Sequence, residues 1–227
     1  MKKLVVLSGA GMSAESGVRT FRDNDGLWQK HRVEEVASPI AWARDPGLVL
    51  TFYNERRKQL FEVEPNAGHR ALIRLEEKYE VQIVTQNVDD LHERAGSSRV
   101  LHLHGELKKA RSTLDPRLIY TLDHWELKLG DTCEKGSQLR PHIVWFGEPV
   151  DQIVPAAGIV AEADLLIVVG TSMVVYPAAG LVTQARPEID KYYVDPNAFA
   201  MPGIENLEII AEKAGTGLPR LVDRLLA

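Results

Sequence analysis

The chain has 227 residues, 44% hydrophobic and 26% charged, a globular composition that excludes disorder, collagen and coiled coil. Lys plus Arg is 27 against 32 for Asp plus Glu, and the net charge of −5 argues against a nucleic-acid scaffold. One cysteine, Cys133, permits no internal disulfide, so a reducing cytoplasm is the expected setting.

Met1-Lys2-Lys3 precedes the short apolar run Leu4–Leu7, much shorter than the ~7–15-residue core of a secretory signal. It is expected to be the first β-strand of a soluble protein, since no segment approaches the ~18 unbroken apolar residues of a membrane helix. Gly9-Ala10-Gly11-Met12-Ser13-Ala14 then fits G-x-G-x-x-A. Glycines there allow a tight turn and close approach to a pyrophosphate at a helix N-terminus, although a plain strand–turn–helix fits the same residues. An ordinary Rossmann unit would show an acidic residue ending a second strand about 20 positions on. Thr20-Phe21-Arg22-Asp23 and Trp28 follow instead, which suggests a nucleotide site of another kind.

Residues 24–62 read as helices rich in Trp, Arg and Glu. Asp45 and Pro46 can open one of them as N-cap and first residue. Val49, Tyr53, Arg56 and Leu60 fall on one face, so Arg56 interrupts an apolar stripe. It is either a snorkelling arginine or one presented to an anion inside a mostly apolar channel. His69–Lys78 has helical spacing, with Leu72, Leu75 and Tyr79 on one side.

A second apolar run, Val81–Val84, leads to Gln86-Asn87-Val88-Asp89. These are turn formers, or groups that hydrogen-bond a ribose and a carboxamide. Val100–Gly105 alternates as a strand with His102 and His104 on one face and the leucines on the other. Two such histidines could bind zinc, but no third ligand is clear. His102 reads as a partly buried structural histidine and His104, before Gly105 at the strand's end, as a general base. Residues 108–139 are polar and turn-rich, and Arg140–Glu148 is an extended apolar run: a buried strand, or an edge that pairs with an extended peptide. Leu165–Val169 runs into Gly170-Thr171-Ser172, Tyr192–Val194 into Asp195-Pro196-Asn197, and Pro219–Leu226 is again helical.

Four such runs separated by helical stretches imply an α/β fold, a Rossmann-like parallel sheet with helices on both faces. Its ligand would lie beyond the carboxyl ends of the strands. Residues 1–23, 63–107 and 140–227 are assigned to this large domain. Residues 24–62 and 108–139 break the pattern and form a smaller inserted domain, with the substrate expected in the cleft between the two.

Six segments together resemble a sirtuin, an NAD-dependent protein-lysine deacylase: GAGMSAESGVRTFRDNDGLW at 9–28, TQNVDDLHERAG at 85–96, HLHGEL at 102–107, RPHIVWFGE at 140–148, GTSMVVYPAAG at 170–180 and DPN at 195–197. The resemblance runs from Ser8 to the C-terminus and favours the bacterial deacetylase/desuccinylase subgroup, class III. It implies that Gly9, Ala10, Gly11, Phe21, Arg22 and Trp28 form the first NAD loop. Gln86, Asn87, Val88 and Asp89 would surround the nicotinamide ribose and carboxamide. Gly170, Thr171, Ser172, Pro196, Asn197 and Ala214 would hold the adenosine half. Val144, Phe146 and Gly147 would line the peptide cleft opposite Val174. His104 matches the general base, with Asn87 and Asp89 positioning groups. FYNERR at 52–57 resembles the subgroup in which a Tyr-x-x-Arg pair, here Tyr53 and Arg56, accepts succinyl- and malonyl-lysine. The products implied are free lysine, nicotinamide and O-acyl-ADP-ribose. Protein ADP-ribosyl transfer and a non-catalytic NAD sensor are the alternatives.

The chain departs from the resemblance in two places. Sirtuins usually carry two Cys-x-x-Cys pairs in the small domain, whereas only Cys133 stands here, with Ser112 and Gly130 near other ligand positions. One thiolate cannot build a tetrahedral structural site, so no zinc is expected. Asn24 stands where the subgroup tends to have alanine beside the acyl pocket. The expected partners are acylated lysines of proteins or peptides, with no nucleic acid and no membrane, for a monomeric cytoplasmic enzyme.

Overall fold

The computed structural model describes residues 1–18, 32–173 and 178–227. Six strands form the main sheet: β1 (Lys2–Ser8), β2 (Tyr79–Thr85), β3 (Val100–His102) and, later in the chain, β7 (Leu165–Val169), β8 (Asp190–Val194) and β9 (Leu207–Ile210). Between the two groups run β4 (Gly105–Ser112), β5 (Ile119–Thr121) and β6 (Leu139–Ile143), which make a separate antiparallel sheet in the order β5-β4-β6. The main sheet has the order β3-β2-β1-β7-β8-β9, and its paired strands are parallel. The order reverses between β1 and β7. A ligand crevice of a doubly wound sheet opens at that switch point, beyond the carboxyl ends of the strands.

The four strands read from the sequence are buried on both sides because each face is covered. Leu4, Val6, Ile83, Ile167 and Val169 pack toward helices α5 (Ala67–Arg74) and α8 (Ala214–Leu226). Val5, Leu7, Val84, Leu166 and Val168 pack on the other side with α7 (Ile153–Ala161) and the 3-10 segment Ala178–Gln184. Alternate residues of one strand therefore serve two cores, which a continuous apolar run requires.

Two local expectations are corrected. The helix predicted to reach Lys78 ends at Arg74, continues as a 3-10 turn over Leu75–Glu77, and gives Tyr79 to β2, where it pairs with Lys2. The last helix starts at Ala214, before Pro219. In its first turn Gly215 donates its N–H to Glu15 Oε2 at 2.7 Å. A Cβ on Gly217 would lie 2.6 Å from the Val194 side chain, so close packing is what selects glycine there.

The other helices are α1 (Gly11–Ala14), α2 (Val33–Val36), α3 (Pro39–Arg44), α4 (Pro46–Glu62) and α6 (Leu91–Ala95). As the sequence suggests, Asp45 caps α4, accepting the Leu48 N–H at 2.9 Å, with Pro46 as the first helical residue. α4 packs Val49, Phe52, Tyr53 and Leu60 into a third core with Leu107, Ile143 and Trp145. Leu50 joins a fourth core formed by Ala110, Leu122, Leu127, Cys133 and Leu139. The antiparallel sheet crosses both sequence-derived boundaries, since β4 begins at Gly105 and β6 ends at Ile143. Among the described residues no helix is long and apolar enough to cross a membrane.

Candidate active site

A cleft of about 820 Å3 lies where the loops after β1, β2, β7 and β8 meet α4 and the segment after β6. Its size falls within the ~300–1,000 Å3 range of small-molecule and cofactor sites. Gly9, Ala10, Gly11, Gln86, Asn87, Val88, Asp89, Gly170, Thr171, Ser172 and Asn197 line it, on the side of the main sheet. Tyr53, Arg56, His104, Val144, Phe146 and Gly147 line the other side. Phe21, Arg22, Asn24, Trp28 and Val174 lie outside the described residues. Two expected cofactor residues do not line the cleft. Pro196 is exposed on the turn after β8, and Ala214 opens α8 with its side chain in the core.

The glycines press one loop against another. A Cβ on Gly9 would stand 2.7 Å from the Thr171 Cβ, and one on Gly11 2.8 Å from the Gly170 Cα. Gly9 N–H donates to Val169 O at 3.0 Å and Gly11 N–H to Gly170 O at 2.7 Å. The motif thus closes the β1 turn onto the β7 turn as well as baring its backbone to the cleft.

The loop after β2 is held from below. Ser8 Oγ donates to Thr85 Oγ1 at 2.8 Å, and that oxygen accepts the Asn87 N–H at 3.0 Å. Asn87 Nδ2 donates to Ser13 Oγ at 3.1 Å, and Gln86 Nε2 to Thr171 Oγ1 at 3.2 Å. Asp89 is buried, and burial raises its pKa, while hydrogen bonds from Ser13 and the Leu91 N–H pull the other way. Ser13 is a site residue that the sequence reading did not single out. The available signal was a hydroxyl at the x-position of G-x-G-x-x-A just before its final alanine.

β3 stops at His102, and Leu103 and His104 form a bend, so the expected strand through Gly105 is shorter than predicted. Gly105 takes φ 81°, and a Cβ there would lie 2.1 Å from His142 O, which forces the break before β4. The division of faces survives: Leu101 and Leu103 pack into the core while both histidines bond the loop after β2. His104 Nδ1 lies 3.0 Å from the Gln86 carbonyl. A carbonyl only accepts, so Nδ1 carries the proton and Nε2 is left with a free lone pair. Burial lowers the His104 pKa, against a smaller opposing effect of that hydrogen bond, so the ring is neutral at pH 7.

His102 is built the opposite way. Its Nδ1 donates to Asn87 O at 3.0 Å and its Nε2 to Glu93 Oε1 at 2.7 Å. Burial opposes its charge, yet the Glu93 carboxylate outweighs that and the pKa is raised. With both nitrogens facing acceptors, His102 is a protonated structural ion pair with no lone pair to offer.

Tyr53 and Arg56 share the inner face of α4. Tyr53 is fully buried and accepts a hydrogen bond from Trp145 Nε1 at 3.1 Å. Arg56 is 8% exposed, lies over the Phe52 ring at 5.5 Å, and has its pKa lowered to about 10 by burial, which leaves it cationic at pH 7. The neighbouring Arg57 faces away and is structural: it donates to Leu107 O at 2.6 Å, Asn54 Oδ1 at 2.9 Å and Trp125 O at 2.7 Å.

The run Arg140–Glu148 is a strand only to Ile143. Beyond it, Val144 N–H donates to His104 O at 2.9 Å and Phe146 N–H to Ala37 O at 3.0 Å. Phe146 is 54% exposed and Gly147 has φ 92°. Trp145, by contrast, is buried.

The region where a sirtuin would hold zinc does not fit the metal. Cys133 is buried and its Sγ donates to Ser112 Oγ at 3.3 Å, and among the described residues no group of three His, Cys, Asp or Glu is placed to bind an ion. The turn is tied instead by Asp115, which pairs with Arg117 at 2.9 Å and Lys135 at 2.8 Å.

The fold and cleft define a doubly wound α/β protein whose site spans the strand switch point and an appended helical and antiparallel unit. The model of the Sir2 family matches residues 9–177. An NAD-dependent protein deacylase of Helicobacter pylori is 55% identical over 228 residues, covering 100% of this chain and 98% of that protein. One from Bacteroides thetaiotaomicron is 48% identical over 231 residues, covering 100% and 99%. The structure of a Sir2 homologue with NAD superimposes with a TM-score of 0.88 at 41% identity, covering 99% of this chain and 90% of that one. A Sir2 bound to a deacetylated p53 peptide and 3′-O-acetyl-ADP-ribose gives a TM-score of 0.82 at 30% identity, covering 97% and 92%. This chain belongs to the Sir2, or sirtuin, family.

Proposed function

We propose that the chain is an NAD-dependent protein-lysine deacylase, giving nicotinamide and O-acyl-ADP-ribose. The observation that carries the reading is His104, a neutral histidine whose Nδ1–H is committed to Gln86 O while Nε2 faces a cleft large enough for a dinucleotide. The residues present fit NAD: a glycine-walled floor and a set of convergent amides and hydroxyls. Gly9, Ala10 and Gly11 with Gly170, Thr171, Ser172 and Asn197 would hold it, and Gln86, Asn87 and Asp89 would orient its nicotinamide half. When bound, NAD supplies an electrophilic ribose carbon by losing nicotinamide and carries the acyl group away.

His104 then acts as general base on a ribose hydroxyl, a role suited to an imidazole with its lone pair fixed toward the cleft. Asn87 and Asp89 hold groups in place and exchange no proton. Val144, Phe146 and Gly147 would line a partly exposed segment that receives an acyl-lysine peptide. The three-stranded sheet with α2–α4 is the smaller domain of this arrangement, and it needs no zinc because the fourth apolar core and the Asp115 pairs hold it. Tyr53 and Arg56 would accept acidic acyl groups, so succinyl and malonyl join acetyl as substrates. The test is a panel of acetyl-, succinyl- and malonyl-lysine peptides with NAD, read by mass spectrometry. Loss of acyl mass with nicotinamide release is expected. A gain of ADP-ribose on the peptide, or no turnover of NAD, would overturn the reading.

A further inference from the structure

Trp145 lies within the peptide-facing segment but points inward, where it is clamped on several sides. The Arg140 guanidinium stacks 3.3 Å from its ring centroid, and Trp42 lies at 5.7 Å, tilted by 37°. Glu148 fixes that stack: it accepts Arg140 Nη1 at 2.7 Å, Arg140 Nη2 at 3.0 Å, and the Trp145 backbone N–H at 2.8 Å. The indole Nε1 is thereby aimed at the Tyr53 hydroxyl, 3.1 Å away. An indole N–H only donates, so the phenol oxygen is the acceptor and its own proton must point elsewhere. Among the described residues no protein acceptor takes that proton, and the phenol lines the cleft beside Arg56, one helical turn on. Burial holds the Tyr53 pKa well above its ordinary value, so the proton stays on the oxygen throughout the working range.

We propose that Trp145 is a positioning residue for acyl specificity: its indole N–H occupies the Tyr53 oxygen and turns the phenol proton toward the acyl end of the cleft. There the phenol and the Arg56 guanidinium meet the terminal carboxylate of a dicarboxylic acyl-lysine. The inference rests on the acidic-acyl reading of Tyr53 and Arg56. Phenylalanine at 145 would keep the stack between Arg140 and Trp42 but could not donate, leaving the phenol free to turn its proton away from the carboxylate.

The experiment compares succinyl- and acetyl-peptide kinetics at saturating NAD for the full chain and for Trp145→Phe, Tyr53→Phe, the double variant and Arg56→Met. Because the phenol–carboxylate hydrogen bond is weakened and not removed, Trp145→Phe should lower the succinyl-to-acetyl ratio of kcat/KM roughly 3- to 10-fold, chiefly through KM for the succinyl peptide. The double variant should match Tyr53→Phe within about twofold, because Trp145 acts through the phenol. An equal loss on both substrates, or multiplicative effects in the double variant, would reduce Trp145 to packing and overturn the assignment. If Arg56→Met leaves the ratio unchanged, the acidic-acyl reading fails and the proposal with it; if Arg56→Met lowers it and Trp145→Phe does not, only the role of Trp145 fails. Should Trp145→Phe not fold, the indole N–H signal of 15N-tryptophan-labelled protein decides. It is expected to shift upfield and exchange faster in Tyr53→Phe, and an unmoved signal overturns the hydrogen bond.

Discussion

His102 and His104 stand two residues apart and bond the same loop, yet replacing each should cost different things. In His104→Ala the Gln86 carbonyl loses one donor and opens to the cleft, where water replaces it, so Tm should move by no more than about 2–3 °C. What is lost is the lone pair on Nε2, and removing a general base costs about 100- to 10,000-fold in rate. In His102→Ala two hydrogen bonds disappear, to Asn87 O and Glu93 Oε1. That is worth about 1–3 kcal/mol, or roughly 2–12 °C in Tm for a chain of this size. The lower part of the range is expected, since the Glu93 side chain is 40% exposed and its carboxylate can be rehydrated. Its effect on kcat/KM should stay below about tenfold, arising from slackening of the Asn87 loop. The assay pairs kcat/KM on an acetylated peptide with calorimetric NAD binding and a thermal melt. His104→Ala should bind NAD and melt normally while losing at least ~100-fold in turnover. Equal kinetic losses in the two variants, or a large Tm loss confined to His104→Ala, would refute the assignment of base and ion pair.

Arg56→Met should remove most desuccinylation, by about 10- to 150-fold in kcat/KM, because a charge-assisted hydrogen bond contributes roughly 1.5–3 kcal/mol. Deacetylation should be spared, and a parallel fall in both, measured on matched peptides, would make Arg56 structural. Because burial lowers the His104 pKa, the acid limb of the kcat/KM profile should lie below the ordinary histidine value, with activity lost as pH falls through the lowered pKa; a limb above the ordinary value would point to another base. His102, whose pKa is raised, contributes stability that is complete below its unfolded pKa and lost as pH rises through the folded one. Melts of the wild type and His102→Gln should therefore converge toward alkaline pH. Purified protein should contain far less than one zinc per chain and keep its Tm in a chelator; stoichiometric zinc by elemental analysis would overturn the substitution of the metal by core packing.

Much of the architecture was legible because it rests on local patterns. Continuous β-branched runs announce strands covered on both faces, and the polar segments after them mark the carboxyl ends where a doubly wound sheet binds its ligand. Asp45-Pro46 wrote its own helix start, since capping needs only neighbouring residues. The pattern failed where packing overrode it. Tyr79 continued a helical stripe but was drawn into the ladder beside Lys2, and α8 begins at Ala214, ahead of the start predicted at Pro219.

What the amino-acid order alone determined was which side chains of each kind exist and on which face of which element they stand. Charge state and orientation came from partners distant in sequence. Gln86 O sets the His104 tautomer from 18 residues away, Glu93 holds the charge of His102 from 9 residues away, and Trp145 engages Tyr53 across 92 residues. The adjacent arginines of FYNERR are indistinguishable as spelling. Helical rotation turns Arg57 onto three polar acceptors and Arg56 into the cleft. A hydrogen bond reads the atom opposite, and only tertiary packing decides which atom stands there.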